Sequence, residues 1–329
     1  MSFPLKKILV SLALGIFALG VISFLTSKSP HNLPIVAIAN WGPHSSLDET
    51  IRGLKDELAR LGFKEGHTIA FEIMDVNFEP SLIMQMLSKL KSSNPKILVV
   101  LGTPVAQVAK GSIKDISIVF ADVTDPVEAG LLAHPHQAAL NLTGTSDKQD
   151  LDVLLSFVKK LLPHANKIGI LYATGEANDL ALIKMMEKSA KSMGMEVLAV
   201  PIEHARDVPL RMQAFKGQVD AIYVGSSGPI QPSLPSIVAA ADQMHIPVFN
   251  LNAEEVKNHR AFASFGVSYY QIGINTGFIV AQILKGQAPK DISPIYPKTK
   301  DHEAFISKKR ADKLQIFLPT DLSNVRIVE

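Results

Sequence analysis

Short apolar runs rich in β-branched residues alternate along this chain with segments whose apolar positions recur every three to four residues. Leu33–Ala39 (LPIVAIA) is the first such run and predicts a buried strand. It is followed by Ser46–Phe63, where Leu47, Ile51, Leu54, Leu58 and Leu61 fall on one helical face. Ser46 with Glu49 three residues later fits a capping box at the start of that helix. The alternation continues with a strand over Ile69–Val76, a helix over Pro80–Lys91, a strand over Ile97–Leu101, a helix over Pro104–Gly111 and a strand over Ile116–Phe120. Asn141–Gly144 leads out of this first series.

A second series begins after Asp147. Helices are predicted over Gln149–Leu162, Asn178–Met193, Val208–Phe215 and Pro232–Met244, interleaved with strands over Lys167–Tyr172, Glu196–Val200, Ala221–Val224 and Pro247–Asn250. Strand runs without polar alternation, each flanked by helices, predict parallel sheets covered on both faces. Two such series predict two doubly wound α/β lobes.

One apolar stretch does not fit that scheme. Ile8–Leu25 carries no charge and follows Lys6 and Lys7, and the uncharged run is long enough as a helix to match a bilayer core. A cleaved secretory signal shares this layout but ends in a small-x-small site, and none lies at Thr26–Pro30. Residues 1–30 are therefore expected to be a signal anchor or signal peptide, with everything beyond Lys28 carried across the membrane. Removing that segment leaves 30 basic and 31 acidic residues, so the net +2 of the whole chain belongs to the targeting end.

With 329 residues, 47% hydrophobic and 19% charged, the chain can bury cores for about two domains. Its near-neutral balance is not that of a nucleic-acid binder, whose domains are strongly basic. The absence of cysteine excludes disulfides, thiolate metal sites, cysteine nucleophiles and lipoprotein attachment through an N-terminal Cys.

In open parallel sheets, ligands bind beyond the carboxyl ends of the strands. Those ends carry Asn40-Trp41-Gly42, Gly102-Thr103-Pro104, Asp122-Val123-Thr124-Asp125-Pro126, Ala173-Thr174-Gly175-Glu176, Gly225-Ser226-Ser227-Gly228 and Asn250-Leu251-Asn252. Small, hydroxyl-rich loops with one tryptophan suit a cleft that grips a small ligand, although the same residues are ordinary turn formers. Ser226-Ser227-Gly228 lacks the frame of a nucleophile elbow, the ten histidines show no metal-binding spacing, and Gly102–Lys110 lacks the second glycine of a phosphate loop. No enzyme signature survives, and no cofactor is implied.

The segments VVLGTPVAQVAKG, ISIVFADVTDPVEAGLL, NLTGTSD, LLPHANKIGILYATGEAN, VDAIYVGSSGPI, IPVFNLNAEEV and FGVSYYQIGINTGFIVAQILKGQAP lie within Ile97–Pro297. This stretch resembles the ABC-type substrate-binding proteins linked to tryptophan and tyrosine uptake, of the type I periplasmic-binding-protein fold. Residues 31–96 fit that family more loosely.

The resemblance implies two lobes joined by three crossovers and closing on a small ligand by a hinge motion. Lobe 1 would take residues 31–146 and 265–288, and lobe 2 residues 147–264 and 289–329. Such a protein would be a monomer on the periplasmic or extracytoplasmic face, held to the inner membrane by residues 8–25 and delivering its ligand to an ABC permease. A membrane-anchored sensor using the same clamp is the alternative.

Expected ligand-binding residues are Trp41 and Thr103 from lobe 1, with Asp122, Thr124 and Asp125 on the cleft floor. Glu176, Ser226, Ser227 and Asn250 would come from lobe 2, and Tyr269 from near a crossover. Asp122, Asp125, Asp147 or Glu176 would pair with an ammonium group on the ligand. The chain departs from the family pattern where Ala173-Thr174-Gly175 and Ser226-Ser227 replace an Asn-Pro-Ser-like loop and an acidic or amide residue.

Overall fold

Every residue of the run Ile97–Leu101 is buried, as an uninterrupted apolar strand covered on both faces requires. It is the central strand of the first of two sheets in the computed structural model, which describes residues 33–322 and 324–329. The expected apolar helix at residues 8–25, and the segment 1–30 that contains it, lie outside the described residues. Among the described residues no helix is long and apolar enough to cross a membrane.

The first sheet comprises β1 (Ile35–Asn40), β2 (Ala70–Asp75), β3 (Ile97–Leu101), β4 (Ser117–Val123) and β5 (Leu142–Ser146), in the order β2-β1-β3-β4-β5 and parallel throughout. Its connections run through α1 (Ser45–Arg60), α2 (Ile83–Ser92) and α3 (Thr103–Ser112). The edge strand β2 is only partly buried.

The second sheet comprises β6 (Lys167–Ala173), β7 (Glu196–Ile202), β8 (Ala221–Val224), β9 (Val248–Asn250), β10 (Ala263–Val267), β11 (His302–Ser307) and β12 (Val325–Val328). Their order is β12-β11-β10-β9-β8-β6-β7, with β10 and β11 antiparallel and the other pairs parallel. Helix α4 (Leu151–Leu161) leads from β5 into β6, and α5 (Ala177–Ser192), α6 (Val208–Arg211), α7 (Leu234–Gln243) and α8 (Ala253–Lys257) link the strands from β6 to β10. The chain ends with α9 (Tyr269–Leu284) and α10 (Lys308–Leu314) around β11, before β12.

The chain passes between the sheets after Ser146, at Ser268 and again between Leu284 and β11. On the last passage Ile295 bridges to Thr145, so this segment lies against the end of β5. Helix α9 packs on α1 of the first sheet rather than on its sequence neighbours β10 and β11. The approach is backbone to backbone. A Cβ on Gly53 would lie 2.2 Å from the Tyr270 carbonyl oxygen, and one on Gly273 2.2 Å from the Thr50 carbonyl oxygen. Strand β10 stays in the second sheet through Val267, so residues 265–267 belong to that sheet and not to the first.

Two local expectations are corrected. Helix α1 starts at Ser45, which places Ser46 inside the first turn instead of at the cap. His44 is the N-cap, with Nδ1 accepting from the Ser46 N–H at 3.3 Å, and Glu49 pairs with Arg52. The helix expected over Val208–Phe215 tightens after one turn into a 3-10 segment over Met212–Phe215.

Candidate functional site

In each sheet the strand order reverses once, between β1 and β3 in the first and between β6 and β8 in the second. Adjacent connections leave in opposite directions at such a point, so a crevice opens beyond the strand ends. The two crevices face each other across one cavity of about 40 Å³. Its walls come from the loops after β1 (Trp41, His44), β3 (Gly102, Thr103), β6 (Glu176, Asn178) and β8 (Ser226, Ser227, Gly228), together with Asp122, Asp147 and Tyr269.

Trp41 follows β1 directly and is 5% exposed. Its Nε1–H donates to Glu176 Oε1 across the cavity at 3.3 Å. Phe78 packs edge-on against the indole with ring centroids 6.0 Å apart, and the Phe78 N–H donates to the Trp41 carbonyl at 2.9 Å. Gly102 ends β3 with φ +89°, a conformation that favours glycine, and a Cβ there would lie 3.0 Å from Trp41 Cβ. It is also the N-cap of α3, whose first turn receives no side-chain cap. Thr103 Oγ1 is buried there without a hydrogen-bond partner.

Asp122 sits where the β4–β5 register shifts, at φ +55°. That angle is uncommon for a non-glycine residue and points the carboxyl out of the strand pattern. Its Oδ1 accepts from Thr50 Oγ1 at 2.9 Å, while Oδ2 is buried and unpartnered. Asp147, just past β5, accepts from the Tyr269 hydroxyl at 3.1 Å on Oδ2 and leaves Oδ1 unpartnered. Burial pushes the Asp122 carboxyl well above the usual range, and the neighbouring Asp147 charge pushes the same way. Burial also raises Asp147, against the hydrogen bond from Tyr269. Burial drives the Tyr269 hydroxyl up in turn, with Asp147 and Asp122 adding to the effect.

Glu176 is the hub of the opposite wall. It accepts from the Gly228 N–H at 3.1–3.2 Å and from Asn178 Nδ2 at 3.0 Å, besides Trp41. Burial raises its carboxyl despite these donors. Asp179 lies behind it, accepting from the Ala173 N–H at 2.6 Å, and is raised well above the usual range by burial and then by the Glu176 charge. Three buried carboxyls, Asp122, Asp147 and Glu176, thus line the cavity with Asp179 behind them, and among the described residues no Lys or Arg lines it. His44 is also a wall residue; burial lowers its imidazole and Nδ1 is already an acceptor, so it supplies no cation near neutral pH. Among the described residues, no group of three or more His, Asp or Glu is placed to hold a metal.

Of the residues singled out from sequence, Trp41, Thr103, Asp122, Glu176, Ser226, Ser227 and Tyr269 line this cavity. Three do not. Thr124 is buried behind it, where its hydroxyl meets Ser226 Oγ at 3.0 Å and joins the two walls. Asp125 turns away to Lys148 at 3.0 Å and to the Val127 and Glu128 N–H groups. Burial acts to raise Asp125, but those hydrogen bonds outweigh it and hold the carboxyl low. Asn250 is fully buried and lies against the Gln231 amide at 3.4–3.5 Å, with Gln231 itself on the cavity wall.

His44, Asn178 and Gly228 sit in or beside the strand-end loops expected to form the cleft, though not among the expected ligand-binding residues, whereas Phe78 and Gln231 lie outside those loops.

The model of the ABC transporter substrate binding protein family matches residues 35–326. A tyrosine-binding protein of Clostridioides difficile is 30% identical over 266 residues, 81% of this chain and 76% of that protein. The structure of a Streptococcus pneumonia ABC domain in complex with L-Trp aligns with a TM-score of 0.85 at 24% identity, covering 90% of this chain and all of that one. The ligand-free, open structure of a Clostridium difficile substrate-binding protein aligns at 0.69 with 26% identity, covering 90% of this chain and 99% of that one. A two-sheet α/β frame, a cavity where both strand orders reverse and a family match over nearly every described residue agree: the chain belongs to the ABC transporter substrate-binding proteins.

Proposed function

We propose that this protein captures an amine-bearing small solute, such as an amino acid, and delivers it to an ABC permease as the extracytoplasmic component of an importer. The observation that carries this reading is the cavity's charge chemistry. Asp122 and Asp147 each hold one buried carboxyl oxygen with no partner, beside Glu176, on walls that among the described residues carry no Lys or Arg. A buried carboxylate is strongly disfavoured unless paired, and an ammonium supplies both the countercharge and several donors. The uncapped start of α3, with the unpartnered Thr103 hydroxyl, offers a complementary place for a carboxylate.

The two walls act as a clamp on lobe 1 (residues 31–146 and 268–288) and lobe 2 (the remainder beyond 146). Support for a closed arrangement comes from contacts between the walls: Trp41 to Glu176, Thr124 to Ser226, the Asn252 amide to Ser45 Oγ at 3.1 Å, and Lys184 to Glu128 at 2.8 Å. The higher similarity to the L-Trp complex than to the ligand-free, open structure points the same way. The protein works as a monomer, tethered at the membrane through its N-terminal segment, and turns over no substrate.

The test is a melting-temperature screen of the purified protein against amines, amino acids, sugars and nucleosides, since a ligand of the native state raises Tm. An amine-bearing solute is expected to raise it. Asp122→Asn is expected to weaken that solute by about tenfold or more, through loss of a buried countercharge, while the variant remains folded. A shift from neutral sugars or nucleosides alone, with none from any amine, would sink the proposal.

A further inference from the structure

The Trp41 indole is the bulkiest group between the two walls, and the surrounding backbone is shaped around it. A Cβ on Gly228 would lie 2.1 Å from Trp41 Nε1 and 3.0 Å from Cε2, so that loop can approach only as glycine. Gly102 is pressed against the same side chain from the first sheet. The ring is held in place as well as enclosed. Its Nε1–H is bonded to Glu176, and Phe78 packs on it edge-on while lying over Gly42, where a Cβ would come within 2.7 Å of the Phe78 ring. What remains beside the indole is about 40 Å³, room for roughly three waters, against the unpartnered oxygens of Asp122, Asp147 and Thr103.

We propose that Trp41 sets the size limit of the solute: its indole stands where a bulky ligand side chain would lie, so the site takes short-chain amines and small α-amino acids and turns away aromatic ones. This rests on the amine-binding reading above and sharpens it. It also sets this chain apart from the relatives named for tyrosine and L-Trp, because the ring that would fill the cleft is built into the protein. Moving the indole aside would break its bond to Glu176 and leave that buried carboxyl short of a donor, so closure around a second aromatic ring opposes the contacts that hold the walls together.

The experiment is isothermal titration calorimetry on the purified full-length chain and on Trp41→Ala, with glycine, L-alanine, L-tyrosine and L-tryptophan. Trp41 is the protein's one tryptophan, so the variant carries none, and bound L-tryptophan can be followed through its own emission. The unsubstituted protein is expected to bind glycine or L-alanine at least about tenfold more tightly than either aromatic amino acid. Trp41→Ala is expected to gain about tenfold or more for L-tyrosine or L-tryptophan, filling the volume the indole vacates.

Equal or tighter binding of an aromatic amino acid by the unsubstituted protein would overturn the size limit and leave the amine reading standing. A folded Trp41→Ala that gains nothing for either aromatic would overturn it too. If that variant fails to fold by circular dichroism, Trp41→Leu removes the ring with a smaller loss of volume and is read the same way, while the comparison of ligands on the unsubstituted protein still decides. Failure of all four amines on every variant would remove the amine reading itself, and this inference with it.

Discussion

Asp122, Asp147, Glu176 and Asp179 keep their protons to higher pH in the folded chain than exposed carboxyls do, each chiefly because burial disfavours the charge. Unfolded, the same groups titrate near 4. As pH rises from there, the unfolded chain releases protons that the folded chain retains, so folding stability falls through the window up to the raised folded values. Asp125 and Asp242 behave oppositely. Their carboxyls are held low, so the stability they contribute is present at neutral pH and lost as acid protonates them below about 4. Without solute, the melting temperature is therefore expected to rise from pH 8 toward pH 5 and to fall below about pH 4. An ammonium ligand needs the carboxylates charged, so the ligand-induced shift in melting temperature should shrink over the same descent toward pH 5. Parallel rather than opposed trends in a thermal melt series would contradict a cation-pairing role for these acids.

At the scale of elements, the contact between α1 and α9 depends on what is missing from its side chains. Gly53 and Gly273 let the two helix backbones touch, with a Cβ at either position meeting a carbonyl oxygen at 2.2 Å. Carbonyl oxygens in a helix cannot swing away, so Gly273→Ala must push the helices apart. The expected cost is about 2 kcal/mol, a fall of several degrees in melting temperature. Gly286, with open space around its Cβ position but φ +102°, ends the same helix region, and alanine there would be strained by its backbone angle without a steric clash. A smaller loss for Gly273→Ala than for Gly286→Ala would show that the helices can separate cheaply.

Element identity was legible in the sequence as far as Asn250 because the strands up to there lie in parallel sheet, whereas β10, β11 and β12, which include the antiparallel pair β10–β11, carry no such signal. Buried parallel strands show up as unbroken apolar runs, and strand ends indicate where ligand loops lie. Side-chain direction was not legible in the same way. Thr124 and Asp125 look as suitable as Asp122 in the run ADVTDP, yet only Asp122 takes the positive φ that aims it into the cavity. Phe78 reaches the site through successive positive φ values at Asn77 and Phe78, which periodicity does not reveal. Gly228 reads as a turn former until Trp41 is placed beside it.

At the scale of the molecule, the site exists only when the two sheets present their reversal points to each other. Glu176 and Gly228 belong to one sheet and Trp41 and Asp122 to the other, so neither half holds the full set of polar groups.

Helix α9 joins the first sheet from a place about 120 residues later in the chain than that sheet's last strand. As the chain emerges from its N-terminus, the glycine face of α1 must wait, uncovered, while nearly the whole second sheet is made. The first half therefore cannot finish folding by itself, and the molecule should mature late and in one piece, with slow kinetics set by that distant pairing. A fragment ending at Val267 is expected to lack the protection from hydrogen exchange along α1 that the complete chain shows. Full protection in that fragment would mean that the first sheet does not need its borrowed helix.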